Sequence, residues 1–382
     1  MKNNPSFTII GGGIAGLTAA IALSRIGLST HVFEASPRLR PLGAGLALAA
    51  NAMQAFKRLG IADNVIQKGR QIDTFSILDE GGKTVSRTDS RAVSERYGID
   101  NFAIHRAELH EVLLNQLPTS QVSICKKAIR IEELPGGVTV FFDDGTTHRS
   151  DYLLVADGIH SPIRQQLVPG SVPRYAGYSC WRAVVYRPDL ALTEATETWG
   201  RRGRVGIVPL TENRVYWFAC VNAPAQSPLM RRMTSARLAE LFGEYHAPIP
   251  GLLSQTPDEN LLWNDIIDLK PLSSFAFGRT LLLGDAAHAT TPNMGQGACQ
   301  AIEDAVVLAD TLAKNDSVEE AFREFEKRRL TRTRTITNNS RRIGQVAQWS
   351  NPLLATMRNY LFRHMPASAN ERQLEMLYSV DF

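Results

Sequence analysis

The first 34 residues combine β-forming runs and glycines in the order strand, tight turn, helix, strand. Residues 7–10 form a short apolar run, and residues 14–25 place apolar side chains at helical spacing. Residues 30–34 form a second β-forming run that ends in Glu34. The segment Gly-Gly-Gly-Ile-Ala-Gly, residues 11–16, lies between the first run and the helix. This order predicts a βαβ unit of the kind that binds dinucleotides.

The glycines of this unit have distinct predicted tasks. Gly11 lets the backbone turn sharply after the strand, and Gly16 allows the helix to pack tightly on the sheet. Gly13 removes a side chain where a pyrophosphate would approach, so that the amides of Ile14 and Ala15 face the anion. The positive end of the helix dipole favours that anion.

Glu34, at the end of the second strand, predicts which dinucleotide binds. Its carboxylate can accept hydrogen bonds from ribose hydroxyl groups, whereas it would repel a 2′-phosphate. We therefore expect FAD or NAD at this site, and not NADP.

Two later apolar runs also end in acidic residues. Residues 152–155 precede Asp157, and residues 280–283 precede Gly284 and Asp285. Fully apolar strands are typical of a parallel sheet that is covered on both faces. Because ligands bind at the carboxyl ends of such strands, both acids are predicted to lie near the dinucleotide.

A loop with two glycines precedes a helix predicted to run from Ala298 to residue 314. The loop contains, in order, Pro292, Asn293, Met294, Gly295, Gln296 and Gly297. Several amides are free at the start of such a helix, where the helix dipole is positive. The loop is therefore a second predicted site for negative charge.

The remaining pattern predicts an α/β protein with two domains and C-terminal helices. A β-hairpin pattern at residues 74–87 interrupts the βα alternation, and residues 172–272 shift toward aromatic and arginine-rich strands. We predict a discontinuous Rossmann-like domain and an α+β second domain built on an antiparallel sheet. The predicted boundaries assign 1–71, 101–171 and 273–318 to the Rossmann-like domain, 72–100 and 172–272 to the second domain, and 319–382 to the C-terminal helices. The Pro-Ile-Pro-Gly segment at 248–251 predicts an exposed loop.

Composition and charge exclude several classes of protein. The 382 residues include 42 Lys and Arg against 38 Asp and Glu, and the net charge of +4 does not indicate nucleic-acid binding. The four cysteines lack the spacing of metal ligands or of a disulfide framework, so we expect no metal site and a cytoplasmic location. No run reaches the roughly 18 apolar residues of a membrane span. The arginine-rich helix predicted over 319–349 is interpreted as a solvated face that packs on the sheet.

The three motifs together resemble the class A flavoprotein monooxygenases, the FAD-dependent aromatic hydroxylases of the p-hydroxybenzoate hydroxylase fold. The resemblance covers essentially the whole chain and depends on the spacing of the Gly11 to Glu34, Asp157 and Asp285 to Gly297 segments. It implies that NADH or NADPH binds transiently and reduces the flavin. Dioxygen then forms a C4a-hydroperoxide, which hydroxylates a small planar aromatic or heteroaromatic ring.

The resemblance also implies a role for each cofactor residue. Glu34 would bind the adenosine ribose, and Arg106 would lie along the FAD phosphates and ribityl chain. Asp157 would serve FAD and the nicotinamide cofactor, while Gly284 and Asp285 would hold the ribityl or pyrophosphate region. The amides from Gly295 through Gln296 and Gly297 to Ala298 would contact the flavin ring near N1 and C2=O. A helix N-terminus at that edge would stabilise anionic reduced flavin.

The substrate residues are predicted from the same resemblance, which is strongest to FAD-dependent urate hydroxylases and salicylate-type hydroxylases. Arg204 and Tyr216 match positions that contact substrate in the urate enzymes. Asn293, after Pro292, stands where those enzymes carry an aspartate, and an amide cannot take up a proton. Arg204 is either a substrate ligand or a surface arginine on a turn. Urate hydroxylation and a non-hydroxylating FAD oxidoreductase stay open as alternatives, and the protein is expected to be a monomer or homodimer.

Overall fold

The N-terminal βαβ unit is confirmed in the computed structural model, which describes residues 5–39, 44–89, 91, 95, 101–380 and 382. β1 (Ser6–Ile10) leads into α1 (Ile14–Arg25), and β2 (Ser29–Phe33) pairs parallel to β1. The side chains of β1 are buried from its second residue onward because helices cover both faces of its sheet.

The other elements of the described residues follow in chain order. The strands are β3 (Gly45–Leu48), β4 (Arg70–Gln71), β5 (Thr74–Asp79), β6 (Thr84–Asp89), β7 (Phe102–His105), β8 (Val122–Ser123), β9 (Ala128–Leu134), β10 (Gly137–Phe142), β11 (Thr147–Ser150), β12 (Tyr152–Val155), β13 (Arg174–Tyr186), β14 (Ala195–Gly200), β15 (Gly203–Pro209), β16 (Arg214–Asn222), β17 (Leu262–Asp268), β18 (Ala276–Phe277) and β19 (Thr280–Leu282). The helices are α2 (Ala50–Arg58), α3 (Ala62–Lys68), α4 (Arg106–Leu114), α5 (Pro162–Leu167), α6 (Pro228–Arg231), α7 (Ser235–Leu241), α8 (Ile249–Ser254), α9 (Asp285–His288), α10 (Gly297–Lys314), α11 (Val318–Ala347), α12 (Pro352–Arg363) and α13 (Ala367–Tyr378). None of these helices combines the length and apolar character needed to cross a bilayer.

A six-stranded sheet in the order β18-β19-β12-β1-β2-β8 forms the centre of the first domain. Its strands pair in parallel except at the β18–β19 edge, and β12 and β19 are buried along their whole length. The two fully apolar runs therefore belong to the same sheet as β1: β12 pairs with β1, and β19 pairs with β12. The five parallel strands, β19, β12, β1, β2 and β8, have their carboxyl ends at one edge of the sheet.

A seven-stranded sheet in the order β17-β13-β16-β15-β14-β5-β6 forms the second domain. The β5–β6 hairpin joins it through parallel pairing of β5 with β14, and its other neighbouring strands pair antiparallel. Trp181 and Trp217 are fully buried on one face, under α7 and α8. The opposite face, which we call the site face, carries Tyr178, Arg204 and Tyr216.

The prediction of an exposed loop at 248–251 is wrong. Ile249 begins α8 and is completely buried in the core of the second domain. Pro250 occupies the first turn of this helix, where its missing N–H has no intrahelical partner to lose. The prolines and the glycine thus mark the start of a helix here, because Ile249 packs into the apolar core of the second domain.

Not all arginines of α11 form a solvated face, contrary to the prediction for residues 319–349: Arg334 and Arg342 are exposed, but others are partly or fully buried. Arg329 is 1% exposed and donates from Nε to Asp304 Oδ1 at 2.7 Å, and it also pairs with Glu303. Arg328 pairs with Asp310, and Arg332 with Glu303. The helix packs mainly on α10, so these three cations meet acids of that helix.

The C-terminal tail folds back onto the first domain. Leu377 and Tyr378, at the end of α13, are buried in a cluster with Ala50 of α2 and Ile336 of α11. Arg332 donates to the Met376 and Leu377 carbonyls at 2.6 and 2.7 Å. These contacts join the tail to α2 and α11.

Replacing Arg329 with glutamine is expected to destabilise the protein strongly. Removal of one partner from a buried ionic cluster costs about 3–5 kcal/mol, because Glu303 and Asp304 stay charged in a site that excludes water. The matched control is Arg323→Gln, an exposed arginine on the same helix, with an expected effect within about 0.5 kcal/mol. Chemical denaturation of both variants checks this. Equal losses of unfolding free energy in the two variants would show that the buried cluster does not stabilise the protein.

Candidate active site

The glycine loop at the start of α1 has two positions closed by packing and one open position. Gly11 has φ +105°, and a Cβ there would lie 2.3 Å from the Ala156 carbonyl oxygen. A Cβ on Gly16 would lie 1.9 Å from the Gly11 carbonyl oxygen. No described atom lies within 4 Å of a Cβ built on Gly13, which caps the helix. The open position therefore faces the amides of the first helical turn, Ile14 and Ala15, and fits a pyrophosphate.

Glu34 is fixed at the carboxyl end of β2 by two backbone amides. Its Oε2 accepts from Gly12 N at 2.6 Å, and its Oε1 accepts from Ser36 N at 2.7 Å. Each carboxylate oxygen can accept a further hydrogen bond. The position suits a ribose ligand, and the acid also holds the glycine loop in place.

His110 is a residue that sequence reasoning missed. It is buried on α4, and its ring Nε2 lies 2.7 Å from the Gly12 carbonyl oxygen, to which it donates. It thus fixes the carbonyl of Gly12, whose amide is held by Glu34. A single histidine on an amphipathic helix carries no pattern that would have revealed this contact.

Asp157 lies next to the glycine loop with both carboxylate oxygens buried and unpaired among the described residues. Its Cα would be 3.0 Å from a Cβ on Gly11, so the first and second motifs are in contact. Burial raises the pKa of the Asp157 carboxyl to about 6. Unpaired acceptors beside an anion site fit a ligand that brings its own hydroxyl donors, as the ribityl or ribose part of FAD does.

The third motif meets the first through Gly284. This residue has φ +54°, and a Cβ there would lie 2.8 Å from the Ala15 side chain. The next residue, Asp285, is exposed. Desolvation by the surrounding protein raises the pKa of its carboxyl, although the nearby His288 and Arg106 act to lower it. Arg106 is exposed at the first position of α4. The structure therefore brings Arg106 and Asp285 to the same edge of the sheet as the glycine loop.

The start of α10 presents amides on one side and is anchored on the other. Gly295 has φ +61°, and its nearest neighbour is the exposed Ala47 of β3, 3.6 Å from a built Cβ. The Gln296 side chain is buried and turns inward, because its Oε1 accepts from Asn51 and Gln300 at 3.1 and 2.9 Å. Only the backbone of Gln296 can therefore meet a cofactor. Gly297 and Ala298, both partly accessible, begin the helix.

Arg204 lies on β15 and is 2% exposed, so the interpretation as a surface arginine on a turn is wrong. Its guanidinium donates to Glu197 Oε1 at 2.9 Å, Gln348 Oε1 at 3.1 Å and Asn293 Oδ1 at 2.8 Å. The paired Glu197 compensates its charge. Arg204 is thus held from three sides before any ligand binds.

Asn293 connects the site face of the second sheet to the α10 loop. Its Oδ1 accepts from Arg204 and from the Tyr178 hydroxyl at 3.0 Å, and its amide donates to Thr291 Oγ1 and the Ser340 carbonyl, each at 2.8 Å. All four hydrogen-bonding positions of the side chain are used. Since Arg204 only donates, Oδ1 must face it, and this fixes the orientation of the amide. Tyr178 was not predicted by sequence reasoning.

Tyr216 lies on β16 with its ring against β3. A Cβ on Gly45 would lie 2.3 Å from the ring, so only glycine permits this approach. Its hydroxyl has no hydrogen-bond partner among the described residues, and burial raises the pKa of the phenol above its ordinary value. Tyr216 is therefore a neutral donor. Pro292 is exposed and begins the short turn that carries Asn293.

The fold and this edge of the sheet define an FAD-dependent flavoprotein with a second sheet bonded to the loop before α10. A sequence profile described as an FAD binding domain matches residues 6–340, and the chain belongs to this FAD-binding monooxygenase family. It is 37% identical over 366 residues to an aurachin C monooxygenase/isomerase of Stigmatella aurantiaca, covering 96% of this chain and 95% of that protein.

Two further comparisons concern Klebsiella pneumoniae. The chain is 34% identical over 341 residues to an FAD-dependent urate hydroxylase of that organism, covering 87% of this chain and 88% of the relative. The crystal structure of HpxO from the same species, complexed with FAD and uric acid, matches with a TM-score of 0.92 at 29% identity, over 99% and 97% of the two chains. The class A FAD-dependent monooxygenase family and its fold, expected from the resemblance, are confirmed.

Gly13→Ala and Gly16→Ala are expected to affect different properties, the first FAD affinity and the second the stability of the apoprotein. Gly13→Ala finds open space and should leave apoprotein stability within about 0.5 kcal/mol, while FAD affinity falls about tenfold because the methyl group occupies the pyrophosphate position. Gly16→Ala collides with backbone and should destabilise the apoprotein by about 1–3 kcal/mol. Apoprotein melting and FAD titration separate the two effects. Normal FAD affinity in Gly13→Ala would contradict the assignment of the phosphate position.

Asp157 is expected to make the apoprotein less stable as the pH rises from 4 toward 7. The native state keeps the proton until about pH 6, whereas the unfolded chain releases it near the ordinary value, so the native state binds more protons in this window. The loss amounts to about 2–3 kcal/mol. Asp157→Asn should remove that part of the pH dependence, and Asp316→Asn, at an exposed position, should keep it. Thermal melts of the FAD-free proteins across this range check the prediction; parallel curves for wild type and Asp157→Asn would contradict it.

Proposed function

We infer that the chain hydroxylates a small planar aromatic or heteroaromatic ring bound between the site face and the start of α10. The observation that carries this proposal is the hydrogen bond from Arg204 to Asn293. Asn293 lies two positions before Gly295, so a side chain of the substrate sheet bonds directly to the loop whose amides face the flavin. A ring held against Arg204 and Tyr216 would lie beside that loop.

FAD supplies the redox and oxygen chemistry when it is bound, with NAD(P)H as reductant and dioxygen as co-substrate. The chain's own contribution is to hold the cofactor and to exclude water. The amides from Gly295 to Ala298 and the positive end of α10 would stabilise negative charge on the pyrimidine edge of the reduced ring. Glu34, Arg106 and Asp157 are positioned to hold the remainder of the cofactor.

The side chains around the substrate position favour a ring that is activated by its own hydroxyl or ring nitrogen. Glu197, the carboxylate that contacts Arg204, already accepts hydrogen bonds from Arg204 and Trp199. Asn293 cannot take up a proton, and Tyr216 stays protonated. None of these groups is a ready base, so we propose a phenolic or heteroaromatic substrate that is electron-rich as bound.

Urate is the second candidate substrate. It is supported by the match to the urate hydroxylase and by the presence of Arg204 and Tyr216. Against it stands Asn293, whose four hydrogen bonds leave no site for a proton from urate. We therefore expect urate to be oxygenated no faster than an unrelated purine, as measured by urate consumption with excess NAD(P)H.

A cytoplasmic location is proposed from the cysteines, all four of which are free. Cys180 and Cys220 face each other across β13 and β16 without a disulfide. Oxidising compartments favour pairing of such neighbours, so free thiols are typical of a reducing one. The expectation of a monomer or homodimer stays a prediction.

The proposal is tested by mixing the FAD-loaded protein with NAD(P)H and a panel of phenolic and heteroaromatic rings. One ring or more should accelerate NAD(P)H oxidation and yield a product heavier by one oxygen atom. Tyr216→Phe removes a donor to the ring and should lower kcat/KM by about three- to tenfold at unchanged FAD content. Tyr186→Phe, on an exposed tyrosine of the same sheet, is the control. Oxidation that produces only hydrogen peroxide with every ring would contradict hydroxylation.

A further inference from the structure

The strand register places a second arginine on the site face. Arg182 on β13 lies opposite Phe218 on β16, and the next pair along the same strands is Val184 with Tyr216. Directly paired residues of antiparallel strands share a face, so Arg182 projects from the same face as Tyr216. Diagonal neighbours of this kind are about 7–8 Å apart, within reach of one bound ring.

The two arginines of this face differ in how their charge is balanced. Each of the three guanidinium nitrogens of Arg204 already donates a hydrogen bond, to Gln348, Glu197 and Asn293, and Glu197 balances the charge. Arg182 is half-buried and forms no ion pair with the described acidic residues; its Nη2 donates to the neutral Asn264 Oδ1 at 2.5 Å. Its Nε is buried and has no hydrogen-bond partner in the described part of the chain. A buried, charged N–H group that lacks a hydrogen-bond acceptor destabilises the protein, and a ligand that supplies the acceptor removes this penalty.

The surroundings of Arg182 indicate where such an acceptor would enter. Asn264 is exposed on β17, the edge strand of the sheet, whereas Phe218 lies on the inner side of Arg182. The Arg182 side chain therefore lies between the proposed ring-binding surface and the exposed edge of the sheet. Arg204 lies two strands further in, about 10 Å across the sheet.

We propose that Arg182, and not Arg204, recognises an anionic group of the substrate, a carboxylate or an ionised oxygen at the end of the ring that faces the edge of the sheet. The proposal rests on the hydroxylase function and names its substrate class. The Nε of Arg182 is free, and Nη2 would exchange its bond to the neutral Asn264 for the anion, so that the two form the parallel donor pair that binds a carboxylate in bidentate fashion. Arg204 positions Asn293 and the α10 loop, since its own charge is already met by Glu197.

Ring-matched ligand pairs test this directly on the FAD-loaded protein. The pairs are 3-hydroxybenzoate with 3-hydroxybenzamide and 4-hydroxyquinoline-2-carboxylate with its carboxamide, and dissociation constants are measured by the change in flavin fluorescence. Wild type should bind the acid of at least one pair about tenfold tighter than the amide. Arg182→Gln should abolish this preference and raise KM more than it lowers kcat, because the anion contact is present in ground state and transition state alike.

Two further variants make the result interpretable. Asn264→Asp places a carboxylate against the guanidinium from an exposed position, and it should reduce the preference for the acid even where Arg182→Gln does not fold. Arg202→Gln removes the same charge from the exposed β14–β15 turn and should leave the preference unchanged.

Several outcomes would overturn the assignment of Arg182. Equal binding of acid and amide by wild type would do so, as would a preference that survives both Arg182→Gln and Asn264→Asp, or a panel in which no acid binds. These outcomes are separate from failure of the hydroxylase function. That function would fail if no ring of either charge were oxygenated, whatever its affinity.

Discussion

The carboxylate of Asp304 on α10 is the contact on which the cofactor side of the protein depends. Its Oδ2 accepts from the Gly284 amide at 2.9 Å and lies 2.7 Å from His288 Nε2, while its Oδ1 accepts from Arg329 Nε at 2.7 Å. One acid thus joins the turn after β19, the helix α9 and the long helix α11. Because Asp304 is 1% exposed, these bonds form in a low dielectric, where a missing partner costs most.

This contact fixes the N-terminus of α10 relative to the carboxyl ends of β1, β12 and β19. Gly284 approaches Ala15 so closely that the third motif and the first form one surface. Asp157 joins that surface beside Gly11, with unpaired oxygens. A dinucleotide bound there would meet amides and acceptors that are already fixed in place.

A neutral side chain, that of Asn293, connects the second sheet to this surface. Asn293 accepts from Arg204 and Tyr178 and donates to Thr291 and Ser340, so it links three elements without carrying charge. An aspartate at this position would offer only acceptors and would compete with Glu197 for Arg204. The amide leaves the buried pair of Arg204 and Glu197 undisturbed.

The sequence alone determined the parts of the protein that depend on local pattern. The βαβ unit, the apolar strands before Asp157 and Asp285, and the glycine loop before α10 follow from periodicity and backbone requirements within short segments. The tertiary structure decided everything that depends on which partner a polar side chain meets. Arg204 and Arg329 are buried because Glu197, Glu303 and Asp304 arrive from elements distant in the chain, and Ile249 begins a helix because the core had space for it. Spacing along a chain reports turns and faces, whereas the burial of a charge depends on desolvation and pairing across the fold, which no local pattern encodes.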